Sequence, residues 1–166
     1  MARKTSYEKV WLNVQLNAIK SGFADREKLF VEQDKIWTYI SDGYRIFCVP
    51  AEMTFLDFSK FASAKGGLIR HFENADKRNT SPAYFTGNAR MTYKDGKPFK
   101  RVLEVVGDNG VRTWLNESFV KDAGGCLNLV CRVGEKRTDP VIVECIGGPV
   151  IGLILPVNMD VAMRTA

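Results

Sequence analysis

Residues 36–50 read IWTYISDGYRIFCVP, and this stretch decides the fold. Two runs rich in aromatic and β-branched residues, Ile36 to Ile40 and Tyr44 to Val49, flank the dipeptide Asp42-Gly43. Asp-Gly is a strong signal for a tight β-hairpin, because glycine tolerates the positive φ that such turns require. Pro50 lacks an amide hydrogen and should end the second strand. The stretch therefore predicts an antiparallel hairpin.

An amphipathic helix is predicted upstream of this hairpin, over residues 7–21. Its apolar face has the helical spacing i, i+4, i+7 and i+11, and consists of Tyr7, Trp11, Val14 and Ala18. Gly22 should end the helix, and a strand over Lys28 to Glu32 should follow it. The first part of the chain is thus predicted to be a helix followed by three strands.

The second half of the chain repeats this order. After a hairpin formed by Phe99 to Val106 and Val111 to Leu115, Asn116 is a suitable N-cap for a short helix that Gly124-Gly125 would close. Three predicted strands follow: Leu127 to Val133, Val141 to Ile146 and Val150 to Leu155.

Similar tripeptides mark both units. Trp11-Leu12-Asn13 and Trp114-Leu115-Asn116 begin them, and Cys48-Val49-Pro50 and Ile154-Leu155-Pro156 end them. The pattern predicts a single α+β domain over residues 1–166. It is a duplicated helix-plus-antiparallel-strands unit with the helices on one face of the sheet.

Residues 51–98 match neither unit and are predicted to connect them or to be an insertion. A helical stripe of Phe55, Phe58 and Phe61 within Ala51 to Ala64 is typical of core packing. Residues 65–90 contain several turn-forming residues and predict a loop with a short helix near Ile69.

Composition excludes several protein classes. The chain has 166 residues, of which 45% are hydrophobic and 26% charged, which excludes a disordered chain. Its apolar runs are far shorter than the roughly 18 residues that a membrane span needs. Because no apolar segment follows Met1-Ala2-Arg3-Lys4, we expect no signal peptide and a cytoplasmic location.

Residues that carry chemistry are sparse, so no catalytic residue, metal site or cofactor is predicted. The four cysteines form no C-x-x-C pair, and Cys48, Cys131 and Cys145 lie among apolar neighbours, as buried free thiols do. His71 is the only histidine. A small-molecule enzyme with a site around His71, Glu73 and Asp76 stays open as an alternative.

The net charge is +5, and one segment is distinctly basic. Asp95 and the aromatic residues Tyr93 and Phe99 lie among five cations: Arg90, Lys94, Lys97, Lys100 and Arg101. Cations with interleaved aromatics suit phosphate contact and base stacking. A solvated hairpin whose lysines prevent edge-to-edge pairing is the alternative explanation.

Three stretches resemble the bacterial and phage DNA polymerase processivity clamps, the sliding clamps. Residues 41–46 (SDGYRI) resemble the Thr-Asp-Gly-His/Tyr-Arg-Leu hairpin of that family, and residues 115–122 (LNESFVKD) resemble its Phe-Asn-x-x-Tyr-Leu-x-Asp junction. Residues 139–142 (DPVI) followed by 152–157 (GLILPV) resemble the final pair of strands. The family usually has Arg after this signature, where this chain has Asn158.

The resemblance implies a small duplicated domain that contributes to a ring around duplex DNA. It also implies a pocket on the outer surface for short peptides of replication proteins. Carried over by position, one wall would be Gly43, Tyr44, Arg45 and Ile46, another Asn116 and Phe119, and the floor Leu153, Leu155, Pro156 and Val157. Because family chains carry two or three such domains, a ring of this chain would require a homo-oligomer.

Two non-enzymatic functions follow from the resemblance. The first is a clamp-like replication accessory protein, phage or prophage encoded, that binds the backbone of duplex DNA, replication proteins, or both. The second is a protein-interaction module that uses the same fold without binding DNA.

Overall fold

Nine antiparallel strands form one sheet in the computed structural model, which describes residues 7–20, 29–55, 57 and 67–159. The strands are β1 (Phe30–Gln33), β2 (Trp37–Ser41), β3 (Arg45–Pro50), β4 (Ser81–Lys94), β5 (Lys97–Gly107), β6 (Arg112–Asn116), β7 (Leu129–Val133), β8 (Val141–Cys145) and β9 (Val150–Ile154). Their order across the sheet is β1-β2-β3-β9-β8-β7-β4-β5-β6. The predicted α+β class with a large antiparallel sheet is confirmed.

The described residues also contain three helices, α1 (Tyr7–Lys20), α2 (Gly67–Arg78) and α3 (Glu117–Asp122). Helices α1 and α3 pack with one hydrophobic cluster, to which they contribute Val10, Val14 and Val120. Helix α2 packs with a second cluster, to which it contributes Leu68 and Phe72. The sheet therefore buries apolar side chains on both faces.

The hairpin predicted from Asp42-Gly43 is present between β2 and β3. Gly43 has a φ of 91°, and its amide donates to Ser41 Oγ at 3.0 Å. The Tyr44 amide donates to Asp42 Oδ1 at 2.9 Å. Side chains of the turn thus satisfy amides that the ladder leaves unpaired.

One sequence prediction for residues 51–98 needs correction. The segment 65–90 was predicted to be a loop with a short helix, but it contains the twelve-residue helix α2 and most of the long strand β4. Pro82 is tolerated because it is the second residue of that strand, and Gly87, with a φ of 88°, lies in a bulge between Phe85 and Ala89.

Some of the predicted features lie outside the described residues. The stripe over Ala51 to Ala64 begins with a 3₁₀ turn, Ala51–Met53, and Phe58 and Phe61 are not among the described residues. The same holds for Gly22 and Lys28 at the ends of the first predicted elements.

Three of the four free cysteines are buried, as predicted. Burial raises the pKa of Cys131 to about 12 and also raises the pKa of Cys48 and Cys145. These thiols therefore remain protonated at neutral pH and behave as small apolar side chains.

Strands β3 and β9 join the first and last parts of the chain as the third and fourth strands of the sheet. Arg45 lies opposite Ile154, Ile46 opposite Leu153, and Phe47 opposite Gly152. Phe47 is fully buried, and a Cβ at Gly152 would overlap the Ile46 carbonyl and press on the Phe47 ring. Glycine is therefore required at position 152 because the neighbouring backbone approaches it too closely for a side chain.

The chain beyond β9 connects the turn between β2 and β3 to the edge strand β6. The Leu155 amide donates to the Tyr44 carbonyl at 2.9 Å, and the Val157 amide donates to the Trp114 carbonyl at 2.8 Å. One short segment thus contacts both β6 and the hairpin turn.

We predict that Gly152→Ala lowers the free energy of unfolding by about 1–3 kcal/mol, because the added methyl overpacks a site bounded by backbone. Urea denaturation measures the change. Gly96→Ala is the control, since Gly96 has a φ of 75° but open space around it. That control should cost about 1 kcal/mol for the backbone strain alone. Equal costs for the two variants would contradict the prediction.

Candidate peptide-binding cleft and basic hairpin

Arg45, one of the predicted pocket residues, ties β3 to α3. Its Nε donates to Asp42 Oδ2 at 3.2 Å, and a terminal guanidinium nitrogen donates to Asp122 Oδ2 at 2.6 Å. The guanidinium carbon lies 4.1 Å from the centroid of the Phe119 ring. With only 5% of the side chain exposed, Arg45 and the ring beneath it are engaged inside the domain.

Ile46 and Leu153 lie on the opposite face of the sheet from Arg45. Both are buried in the cluster that α2 covers, together with Leu68 and Phe72. Successive residues of a strand point to opposite faces, so the strand separates these side chains from that of Arg45. The described structure leaves neither Ile46 nor Leu153 at the surface.

Asn116 has a local structural role. Its Oδ1 accepts hydrogen bonds from the Ser118 amide at 3.0 Å and the Ser118 hydroxyl at 2.9 Å. This is the N-cap of α3 that the sequence predicts.

A cleft of about 540 Å³ contains the remaining floor residues. Its lining consists of Arg112, Thr113, Trp114, Arg137, Thr138, Leu155, Pro156, Val157, Asn158 and Met159. The consecutive residues Leu155, Pro156 and Val157 of the predicted floor all line this cleft. The Leu155 amide donates a hydrogen bond to the Tyr44 carbonyl, which places Tyr44 and the preceding Gly43 next to the cleft. The Tyr44 side chain is 66% exposed.

Sequence reasoning missed the other residues that line this cleft, among them Trp114 and two arginines. Arg112 lies on β6, and Arg137 lies in the turn before β8. Alternation along β6 places Arg112 and Trp114 on the same face, which was the available signal. The hydrogen bond from the Val157 amide to the Trp114 carbonyl joins distant parts of the chain at the cleft, and no sequence pattern predicts it.

A buried carboxylate holds Arg112 at the rim of the cleft. An Arg112 guanidinium nitrogen donates to Glu104 Oε2 at 3.1 Å, and Thr86 and Asn88 donate to Oε1 at 2.8 and 3.0 Å. Burial alone would raise the pKa of Glu104, but these three hydrogen-bond donors and the Arg112 charge hold it below its ordinary value. Glu104 therefore stays ionised near neutral pH and keeps Arg112 oriented.

The five predicted cations all lie on the hairpin of β4 and β5. The Arg90 guanidinium carbon lies 5.0 Å from a Trp114 ring centroid, and an Arg101 guanidinium nitrogen lies 3.5 Å from Glu117 Oε2. Lys94 and Lys97 lie opposite each other on the ladder at the end of the hairpin, where Asp95 and Gly96 form the turn. Burial lowers the pKa of Lys100 from its ordinary value.

The described side chains of α1 and α3 carry little net charge. Among the described side chains of α1 and α3, two lysines stand against three carboxylates: Lys9, Lys121, Glu8, Glu117 and Asp122. Lys121 also pairs with Glu117 at 3.3 Å. The helix face is therefore not a concentrated cationic surface.

Helix α2 carries the residues of the enzyme alternative. His71 and Glu73 are exposed, and Asp76 is hydrogen-bonded to Arg132. Positions two apart on a helix do not face each other, so His71 and Glu73 are not brought together. Within the described ranges, no group of three or more His, Cys, Asp or Glu side chains could hold a metal ion.

Comparison with known proteins finds no matching family model, no matching curated protein and no matching solved structure. Of the helices in the described part of the chain, none is both long and apolar enough to cross a membrane.

We predict that Arg45→Met lowers the free energy of unfolding by about 2–3 kcal/mol, because it leaves the carboxylates of Asp42 and of Asp122 on α3 without their shared cation. Lys121→Met is the matched control, since its ion pair is exposed and should contribute less than about 1 kcal/mol. Chemical denaturation of both variants gives the comparison. A similar, small loss in both would show that Arg45 does not hold α3 to the sheet.

Proposed function

We propose that this chain is a non-enzymatic, clamp-like DNA replication accessory protein, phage or prophage encoded. It binds short peptides of replication proteins in the cleft between Trp114 and residues 155–157, and it binds the DNA backbone through the β4–β5 hairpin. The observation that carries the proposal is the cleft, because its floor is the Leu155-Pro156-Val157 stretch that the clamp resemblance assigns to peptide binding.

The arrangement around β3 and β9 supports a clamp-like duplication. Strands β1, β2 and β3 form one run of the sheet and correspond to β7, β8 and β9 in the neighbouring run, with β3 beside β9 where the two runs meet. Each trio follows a helix, and those helices, α1 and α3, touch through a hydrogen bond from Asn17 Nδ2 to Asp122 Oδ1 at 3.0 Å. In this interpretation α2, β4 and β5 are the insertion between the two units.

The cleft has the chemistry of a peptide site. Trp114, Leu155 and Val157 offer apolar surface, and Arg112 and Arg137 add positive charge to the lining. Aromatic and arginine side chains in a concave site are typical of peptide and protein recognition. A peptide with large apolar side chains next to a carboxylate would match both properties.

We predict that Leu155→Asp abolishes binding of a labelled peptide that carries a short hydrophobic clamp-binding motif. The new carboxylate would be desolvated against the apolar part of the peptide, which costs several kcal/mol. Fluorescence anisotropy measures the affinity. Leu127→Asp is the control, because Leu127 is largely exposed and does not line the cleft. Unchanged affinity for Leu155→Asp, or no binding by the wild-type protein, would refute the peptide site.

The hairpin is the more suitable DNA contact on this domain. It carries five cations and one acidic residue between Arg90 and Arg101, whereas the described charges of α1 and α3 nearly cancel. Contacts to phosphates by Lys and Arg release counterions, so such binding is independent of sequence and weakens with salt. A ring of several copies would add encirclement to this contact.

We predict that replacing Lys97, Lys100 and Arg101 by Ala makes duplex binding less dependent on salt. Each lost phosphate contact should lower the slope of log K against log salt by about 0.9. Titrations at several salt concentrations give the slope. The control removes three exposed cations from α2 (Arg70, Lys77 and Arg78 to Ala) and should leave the slope unchanged. Salt-independent binding by the wild-type protein would exclude the DNA contact.

An interaction module that binds peptides without DNA is the second candidate. It is favoured by the near-neutral helix face and by the contact of Arg101 with Glu117, which engages one of the hairpin cations. The two candidates differ in outcome, because only the first predicts duplex binding at low salt together with peptide binding.

A further inference from the structure

We propose that the end of the β4–β5 hairpin is a stacking site for single-stranded DNA, with the Phe99 ring as the platform. This inference rests on the proposed DNA contact and specifies its substrate: unpaired bases rather than the duplex backbone alone. It is carried by one exposed aromatic ring that lies close to two lysines.

A bulge in β5 sets Phe99 apart from the ladder. Lys100 lies opposite Thr92 and Pro98 lies opposite Tyr93, so Phe99 has no partner residue on β4. Its side chain is 57% exposed, a large fraction for a phenylalanine on a sheet. The hairpin thus presents an aromatic ring to solvent where regular pairing would have placed a residue opposite it.

Two ammonium groups lie close to this ring. Lys94 Nζ is 5.4 Å and Lys100 Nζ is 5.1 Å from the Phe99 ring centroid. These distances are within the range of cation–π attraction, which holds the lysines near the ring. An aromatic face with adjacent cations is the combination by which proteins bind single strands, since bases stack on the ring and phosphates contact the cations.

Further charge extends the site toward the turn. Lys97 lies opposite Lys94 on the ladder and therefore on the same face of the hairpin. Met91 and Tyr93 alternate with Thr92 and Lys94 along β4 and lie on the other face, so the platform consists of the Phe99 ring with the lysines around it.

Unpaired bases fit this surface better than a duplex does. In a duplex each base is already stacked between its neighbours, so its face is not available to Phe99. A single strand exposes the faces of its bases, and stacking on aromatic side chains tolerates every base. Duplex DNA would use only the cations of the hairpin and leave the ring unused.

The test is fluorescence anisotropy with a labelled oligothymidylate of about 12 nucleotides, competed by unlabelled oligomers of the same length. One competitor is an abasic strand with the same phosphates, and the other is a duplex. We expect the oligothymidylate to bind at least tenfold more tightly than the abasic strand, because stacking on even one base has about this effect.

Variants assign the effect to the ring. Phe99→Ala should weaken oligothymidylate binding about tenfold and leave binding of the abasic strand unchanged, whereas Phe99→Trp should retain the preference. Tyr84→Ala is the matched control, since Tyr84 is an exposed aromatic residue on β4 opposite Val106, far from the turn. Tyr84→Ala should not change the affinity for the oligothymidylate. Because the side chains of Phe99 and Tyr84 are both exposed, the variants at these positions should fold.

The outcomes separate this inference from the proposed function. Equal binding of the oligothymidylate, the abasic strand and the duplex overturns the stacking site but leaves the phosphate contact intact. Tighter binding of the duplex, or no loss in Phe99→Ala, also overturns it. If the wild-type protein bound neither the peptide nor duplex DNA in a salt-dependent way, the proposed function would instead be refuted.

Discussion

The close approach of β9 to β3 is the constraint on which the rest of the structure depends. The Ile46 carbonyl and the Phe47 ring occupy the space that a side chain at position 152 would need, so this contact fixes how near the two strands lie. Residues more than 100 positions apart in sequence are joined there. The same contact aligns the end of β9 so that Leu155 reaches Tyr44 and Val157 reaches Trp114. Without it, these contacts at the cleft would not form.

Alternation along β3 then divides the turn stretch between the two faces of the sheet. Arg45 points to α3, where it contacts Asp122 and the Phe119 ring, and Ile46 points to the cluster beneath α2. A wall containing both side chains on one surface was therefore excluded by the two-residue period of a strand. Of the predicted pocket residues Tyr44, Arg45 and Ile46, Tyr44 has the exposed side chain that a bound peptide would contact. Its carbonyl accepts a hydrogen bond from the Leu155 amide at the cleft.

Features with local causes could be predicted from the sequence. The turn at Asp42-Gly43, the Asn116 cap and the apolar face of α1 each depend on residues close together in the chain. Strand β4 was missed because Pro82 and Gly87 are normally read as breaks, although a strand start and a bulge accommodate them. The position of Trp114 beside the cleft depends on a backbone hydrogen bond between residues 114 and 157. No local sequence pattern predicts a contact between residues so far apart in the chain.

The charges of the hairpin add a physical argument for the proposed nucleic-acid contact. Partial burial lowers the pKa of Lys100, which means that its ammonium group has already lost part of its hydration in the folded protein. Less water then remains to be removed when a phosphate approaches, and the phosphate charge replaces the lost hydration. An exposed lysine such as Lys97 would instead give up its water at the moment of binding. Lys100 Nζ lies 5.1 Å from the Phe99 ring centroid, so at the proposed site a ligand with both a base and a phosphate would contact the ring and this partly buried cation together.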